Sequence, residues 1–151
     1  MPHKTEVSAG SIVLSKDEQE TITLGQELAA LLRPGDVVAL FGELGSGKTT
    51  FVRGVCLGLE CQDDPSSPTF TLINEYAGKF AIYHFDFYRI RTSDEARELG
   101  CHELFSGSGV CLVEWPERVV DLLPATRFEV HFSHLFPAGK ENEREVRILK
   151  P

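Results

Sequence analysis

Hydrophobic and polar positions along this chain change period several times, and each change predicts a different element. Residues 37–41 (Val-Val-Ala-Leu-Phe) form a continuous apolar run, long enough for a buried strand and too short for a helix. Further on, Phe51, Val55 and Leu59 recur every four residues, which is the spacing of one buried helix face. The pattern therefore predicts a buried strand, a polar glycine-rich connection and a helix.

The N-terminal part predicts a second helix that covers the sheet. Residues 12–14 predict a short strand, and Ser15 with Glu18 resembles a capping box that would start a helix at Ser15. Four leucines at positions 24, 28, 31 and 32 continue one helical face until Arg33-Pro34-Gly35 ends it. Residues 1–10 carry little pattern, so we expect them to be loose.

The C-terminal part predicts further strands of the same sheet. Residues 71–76 and 80–87 predict an antiparallel hairpin, because the three-residue link between them contains glycine. A capping box at residues 92–95 predicts a short helix, and residues 109–114 form another apolar strand. Helical turns are expected over 117–123, and strands over 127–132 and around Val146 and Ile148 are expected to pair at a sheet edge. We therefore predict one α/β domain over residues 1–151, with a mixed parallel and antiparallel sheet flanked by helices.

The connection between the first buried strand and its helix fits the phosphate-binding loop pattern. Its glycines would let successive main-chain N–H groups point at phosphate oxygens, and the helix N-terminus adds partial positive charge. Lys48 would bridge the β- and γ-phosphates, and the Thr49 hydroxyl would ligate Mg²⁺. We predict a nucleoside triphosphate site formed by Gly42, Glu43, Leu44, Gly45, Ser46, Gly47, Lys48, Thr49 and Thr50.

Two carboxylates end predicted strands and are candidates for metal or water ligands. Glu114 ends the run 109–114 as in a Walker B strand, and Asp86 ends the second hairpin strand. The sequence leaves open which of them contacts the metal directly. Thr69, in a proline-punctuated segment, either senses the γ-phosphate or satisfies a turn. His84 is expected to be a half-buried strand residue rather than a ligand, and Trp115 either packs inside or contacts a partner.

Composition and charge narrow the class of protein. The formal net charge of −8, without a long basic stripe, argues against broad electrostatic binding to nucleic acid. The four cysteines form no C-x-x-C pair, which disfavours a zinc ribbon or a disulfide framework. No signal peptide or membrane span is apparent. We therefore expect a soluble cytoplasmic protein.

Four blocks of the sequence together resemble the TsaE (YjeE) family of small bacterial P-loop ATPases. The blocks keep the family's order and spacing over about residues 12–149 and are residues 42–50, 67–72, 84–89 and 112–116. Proteins of that family act in the pathway that makes threonylcarbamoyladenosine in tRNA. The resemblance implies an ATP-hydrolysing subunit that acts with the proteins TsaB and TsaD, with tRNA contacted through that complex.

The resemblance also implies roles for individual residues. Lys48 would hold phosphates, Thr49 and Glu114 would ligate Mg²⁺, and Asp86 would organise metal or water. Thr69 would lie in a switch-like segment, and Glu18 and Arg144 match positions near the nucleotide.

The phosphate-binding loop also occurs in proteins of three other functional classes, which are alternatives to an ATPase subunit. In one alternative the protein is a regulatory binding module, in which nucleotide orders residues 62–70 and hydrolysis only ends the bound state. A small-molecule kinase is less favoured, because the arginines are scattered rather than gathered in a lid. A GTPase is also disfavoured, because no Asn-Lys-x-Asp segment occurs.

Overall fold

A computed structural model describes residues 11–62, 72–134 and 143–151. Its seven strands are β1 (Ser11–Ser15), β2 (Val37–Phe41), β3 (Ile73–Ala77), β4 (Ala81–Asp86), β5 (Val110–Glu114), β6 (Phe128–His134) and β7 (Arg144–Leu149). Its helices are α1 (Glu18–Ala29), α2 (Lys48–Gly58), α3 (Ser93–Glu98) and α4 (Cys101–Phe105), with a 3₁₀ turn over Pro116–Val119. Within the described ranges, no helix is both long and apolar enough to cross a membrane.

All seven strands form one sheet in the order β1-β7-β6-β2-β5-β4-β3. Strand β2 lies between β5 and β6 and is parallel to both, and β4 continues the parallel set beside β5. Antiparallel strands extend the sheet on both sides, with β3 beside β4 on one side and β7 with β1 beside β6 on the other. The predicted mixed sheet flanked by helices is confirmed.

Alternate residues of the central strands enter two separate cores, because successive side chains of a strand point to opposite faces. On one face, Val38 and Leu40 of β2 pack with α1 and α2. On the other face, Val37 and Ala39 pack with α3, α4 and the 3₁₀ turn. Since both faces are covered, β2 is apolar throughout and β5 is apolar up to its last residue, Glu114, as the sequence pattern predicts.

Helices α1 and α2 touch through their main chains, which explains the glycines in α2. A Cβ atom on Gly54 would collide with the carbonyl oxygen of Ile22 and lie 2.9 Å from its carbon. A Cβ atom on Gly58 would lie 2.5 Å from the Ala29 methyl carbon. Gly54 and Gly58 thus allow close packing, and this packing holds the start of α1 beside the phosphate-loop helix.

Several local expectations need correction. Ser15 ends β1 and is not the N-cap of α1; Asp17 is, because its carboxylate accepts the Glu20 amide at 2.8 Å. The Ser15 hydroxyl instead pairs with that of Thr21 at 2.6 Å inside the protein. Helix α1 also ends at Ala29, so Leu31 lies beyond it and is 39% exposed.

The C-terminal strands differ from expectation in position. Strands β6 and β7 pair as predicted, in antiparallel orientation, but neither is at the sheet edge, because β1 lies outside β7 and β6 contacts β2. The capping box at 92–95 starts α3 after Thr92, although the Thr92 side chain forms no capping hydrogen bond. The helical turns expected over 117–123 are a 3₁₀ turn over Pro116–Val119, followed by a turn in which the Leu122 amide donates to the Val119 carbonyl at 2.8 Å.

Candidate functional site

The loop between β2 and α2 has a shape that its glycines permit. Gly45 (φ 76°) and Gly47 (φ 109°) have left-handed backbone conformations that side chains disfavour. The loop is closed by a hydrogen bond from the Ser46 amide to the Glu43 carbonyl at 3.1 Å. It leads directly into α2, whose first amides have no earlier carbonyl to bind within the helix. These amides, together with the helix dipole, form an anion-binding site.

The ammonium group of Lys48 is buried above this loop. Its Nζ donates to the Gly42 carbonyl at 2.6 Å and lies 3.7 Å from the centre of the Trp115 indole ring. Burial lowers the pKa of Lys48, and the nearby carboxylates of Glu114, Glu117 and Asp86 oppose that shift. The lysine is thus held by a carbonyl and an aromatic face, both of which a phosphate could replace.

The two candidate carboxylates lie side by side. Asp86 and Glu114 are paired residues at the ends of the neighbouring parallel strands β4 and β5. Each Glu114 carboxylate oxygen lies 3.3 Å from the Thr49 hydroxyl, which donates to this carboxylate. The Asp86 carboxylate accepts the Tyr88 amide at 3.0 Å. Burial raises the pKa of Asp86, although the Tyr88 amide and the charge of Lys48 oppose this.

His84 is more deeply placed than the sequence suggests. It is fully buried rather than half-buried, and its Nε2 lies 2.6 Å from Oε2 of Glu114. The expectation of a half-buried strand position is therefore wrong, because α2 covers this face of β4. An isolated histidine in a strand gives no sequence signal of a partner 30 residues away.

A cleft of about 360 Å³ brings most of the predicted residues together. It is lined by Asp17, Glu18, Thr21, Leu44, Gly45, Gly47, Lys48, Thr49, Thr50, Asp86, Tyr88, Glu114, Trp115 and Arg144. Glu18 lies at the start of α1, and Arg144 of β7 donates to the carbonyls of Ser46 (3.2 Å) and Gly45 (3.3 Å). The positions named from resemblance, Glu18 and Arg144, thus lie in the same cleft as the phosphate loop.

The other predicted residues lie beside the cleft or outside the described part of the chain. Gly42 and Glu43 line a neighbouring cleft of about 430 Å³ on the far side of Trp115. Ser46 is buried within the loop, and its hydroxyl has no hydrogen-bond partner among the described residues. Thr69 lies outside the described residues.

The charges that line the cleft fit a triphosphate with a divalent cation. Four carboxylates and two basic side chains face the cleft within the described ranges, so a triphosphate would meet too little positive charge without a cation. No three acidic, histidine or cysteine side chains cluster in the described residues to form a metal cage. Magnesium is typically held by one or two protein oxygens plus substrate phosphates. Thr49, Glu114 and Asp86 offer such oxygens.

Several cleft residues were not predicted as site residues. Tyr88 and Trp115 form an aromatic pair, with ring centres 4.9 Å apart, and Trp115 has a left-handed φ of 58°. Asp17 and Thr21 come from the first turns of α1. Positive φ at a tryptophan is uncommon, and only the three-dimensional structure shows that it places the indole over Lys48.

Comparisons with known proteins agree with the geometry. The family model described as "Threonylcarbamoyl adenosine biosynthesis protein TsaE" matches residues 15–145. A Treponema pallidum protein named tRNA threonylcarbamoyladenosine biosynthesis protein TsaE is 43% identical, covering 85% of this chain and 95% of its own length. A Bacillus subtilis protein of the same name is 42% identical, covering 85% and 78% respectively.

A solved structure shares the fold as well. The crystal structure of Bacillus subtilis YdiB superposes with a TM-score of 0.73 and 34% sequence identity, over 93% of this chain and 86% of that one. The family match spans the phosphate loop, both strand-end carboxylates and Arg144. The chain therefore belongs to the TsaE family, which is named for the biosynthesis of threonylcarbamoyladenosine in tRNA.

Proposed function

We propose that this chain binds ATP with Mg²⁺ and hydrolyses it, as the ATPase subunit that drives or resets the threonylcarbamoyl transfer to tRNA. In this proposal its partners are TsaB and TsaD, and tRNA is contacted through their complex. The observation that carries the proposal is the buried Lys48 above a glycine loop, with Thr49 and Glu114 within 3.3 Å of each other at the head of α2. This arrangement matches the parts that P-loop enzymes use for phosphoryl transfer.

The chain's own residues would act mainly by positioning and by charge. Main-chain amides of residues 44–50 and the ammonium of Lys48 would bind the phosphates and stabilise the negative charge on the γ-phosphate during attack by water. Mg²⁺, held through Thr49 and Glu114, would neutralise part of that charge when bound. Asp86, beside Glu114, would hold a water through its carboxylate.

We expect slow hydrolysis by the isolated chain. Arg144 is the one arginine that lines the cleft in the described residues, and its guanidinium is hydrogen-bonded to loop carbonyls. No arginine there is positioned as a finger on the γ-phosphate, and such a group is worth roughly 10³–10⁵-fold in rate. A partner protein would then complete the site.

The central experiment is ATP hydrolysis with and without the TsaB–TsaD pair. We expect a low rate that rises when both partners are added. Lys48→Ala should abolish nucleotide binding, whereas Lys79→Ala, which changes an exposed lysine in the β3–β4 turn, should not. Fast turnover that ignores the partners, or a Lys48→Ala variant with wild-type binding, would contradict the proposal.

Glu114 provides a second test with its own control. Glu114→Gln keeps the size of the side chain but removes its charge, so the protein should need more Mg²⁺ for half-maximal turnover. Glu98→Gln removes the same charge from the exposed surface of α3 and should leave this requirement unchanged. Equal Mg²⁺ dependence of both variants would refute the role of Glu114.

The regulatory-module alternative differs in what hydrolysis contributes. If nucleotide occupancy alone orders a docking surface, a non-hydrolysable ATP analogue should support full tRNA modification. If hydrolysis drives or resets the transferase, the analogue should allow complex formation but stop modification after about one round.

A further inference from the structure

The buried pair of His84 and Glu114 has a geometry that fixes which group donates. Strands β4 and β5 are adjacent and parallel, and His84 pairs in register with Leu112, two residues before Glu114. Both side chains therefore point to the sheet face that α2 covers, as diagonal neighbours within reach of an imidazole ring. The atoms Nε2 and Oε2 are 2.6 Å apart, and both side chains are almost fully buried.

The carboxylate determines the tautomer of the histidine. An ionised carboxylate only accepts hydrogen bonds, so Nε2 must carry the proton that is shared with Oε2. In the neutral ring Nδ1 is then bare, and among the described residues it has no hydrogen-bond partner. The ring is packed beside Tyr76, with ring centres 6.4 Å apart, so it is held in place by packing.

The two carboxylate oxygens of Glu114 receive different hydrogen bonds. His84 donates to Oε2 alone, while the Thr49 hydroxyl lies 3.3 Å from both oxygens. Without the imidazole donor, the Glu114 carboxylate would keep, among the described residues, only the longer contact with the Thr49 hydroxyl. Burying such a group without good donors is costly, and its side chain would rotate toward water.

We infer that His84 is a positioning residue for magnesium: it fixes the rotamer of Glu114 so that the carboxylate is presented beside Thr49 before nucleotide binds. This inference rests on the proposed function, because it concerns the same metal site. Removal of a group that hydrogen-bonds to a metal ligand typically lowers metal affinity or activity by roughly 10–100-fold. A histidine that only filled the core would affect folding stability but not the response to magnesium.

The test compares variants that keep or remove the donor. His84→Leu fills the space without a donor, and His84→Gln keeps an N–H at nearly the reach of Nε2. His131→Leu is the matched control, because His131 forms a second histidine–glutamate hydrogen bond within the described residues, with Glu129 at 3.0 Å, on β6 and outside the cleft. Urea unfolding of each variant is measured in parallel to establish that it is folded.

The readout is the affinity for a non-hydrolysable ATP analogue in Mg²⁺ and in EDTA. The dissociation constant in EDTA divided by the dissociation constant in Mg²⁺ measures the contribution of magnesium. We expect His84→Leu to lower this ratio about 10-fold or more with little change in EDTA, and His84→Gln to restore it to within a few-fold of wild type. The control should match wild type.

The possible failures are distinguishable. If wild-type protein binds the analogue equally in Mg²⁺ and EDTA, the proposed magnesium site is wrong, and this inference with it. If wild type shows the coupling and His84→Leu retains it, only the role of His84 is refuted. Should His84→Leu not fold, His84→Asn replaces it, because its amide is too short to reach Oε2; equal coupling in the Asn and Gln variants would then overturn the inference.

Discussion

The crossing of α1 and α2 makes a strong prediction about stability, because the two helices meet main chain to main chain. In Gly54→Ala, the added methyl would lie 2.9 Å from the Ile22 carbonyl carbon, 3.0 Å from Gly25 Cα and closer still to the Ile22 oxygen. Ordinary contact begins at 3.4 Å, so α1 must move by at least the 0.5 Å difference. The obstacle is backbone, which cannot rotate away as a side chain can.

Two opposing free-energy contributions determine how much Gly54→Ala changes stability. Alanine is favoured over glycine inside a helix by about 1 kcal/mol. Overpacking a well-packed interior costs about 1–3 kcal/mol, and a backbone obstacle belongs at the upper end of that range. We therefore expect Gly54→Ala to lower the free energy of unfolding by about 2 kcal/mol.

Equilibrium urea unfolding measures this change directly. With a urea dependence of roughly 2 kcal/mol per molar, the midpoint should fall by roughly 1 M. Gly107→Ala is the control, because its added methyl would lie at 3.4 Å from its nearest neighbours on an exposed turn. If neither Gly54→Ala nor Gly107→Ala changes the free energy of unfolding, then α1 and α2 are not in main-chain contact, and the reasoning is refuted.

Three further predictions concern single side chains. Trp115 is the only tryptophan, so its fluorescence should change when nucleotide draws Lys48 away from the ring, and an unchanged spectrum at saturating nucleotide would contradict the contact. Cys61 is partly exposed and should react with a disulfide reagent in native protein. Burial raises the pKa values of the other three thiols to about 11 or 12, so they should react only after unfolding. Rapid reaction of all four thiols in native protein would refute this prediction. Burial acts to raise the pKa of Glu129, but its contacts with His131 and Arg127 together outweigh burial and lower that pKa. Its ionised form therefore adds stability that is complete above about pH 5 and is lost as pH falls through the lowered pKa, so wild type and Glu129→Gln should converge in acid; a constant difference would refute the sign.

Much of the fold was predictable because local patterns agree with tertiary structure. The run 37–41 is a strand buried on both faces, and the hairpin link at Gly78 joins β3 and β4 as expected. The phosphate loop has a sequence signature because its backbone conformation requires glycine at fixed positions. The strand-end carboxylates were predictable for a related reason, since parallel strands end at the same side of a sheet.

What was not predictable depends on contacts between distant segments. No local pattern indicates that β1 pairs with β7 and so displaces β6 and β7 from the sheet edge. The sequence predicts Ser15 as the cap of α1, but the Ser15 hydroxyl is bound to Thr21, and the Asp17 carboxylate caps the helix instead. The pairing of His84 with Glu114 likewise appears only once β4 and β5 are adjacent.

Glu114 and Trp115 are successive residues, and each contacts a different residue at the start of α2. The carboxylate of the first faces Thr49, and the indole of the second covers Lys48. A rotation of the peptide unit that joins them would disturb the cation side and the phosphate side of the cleft in one movement. If a partner protein bound the indole, it would act on the surroundings of Lys48 and of Thr49 through this one peptide unit.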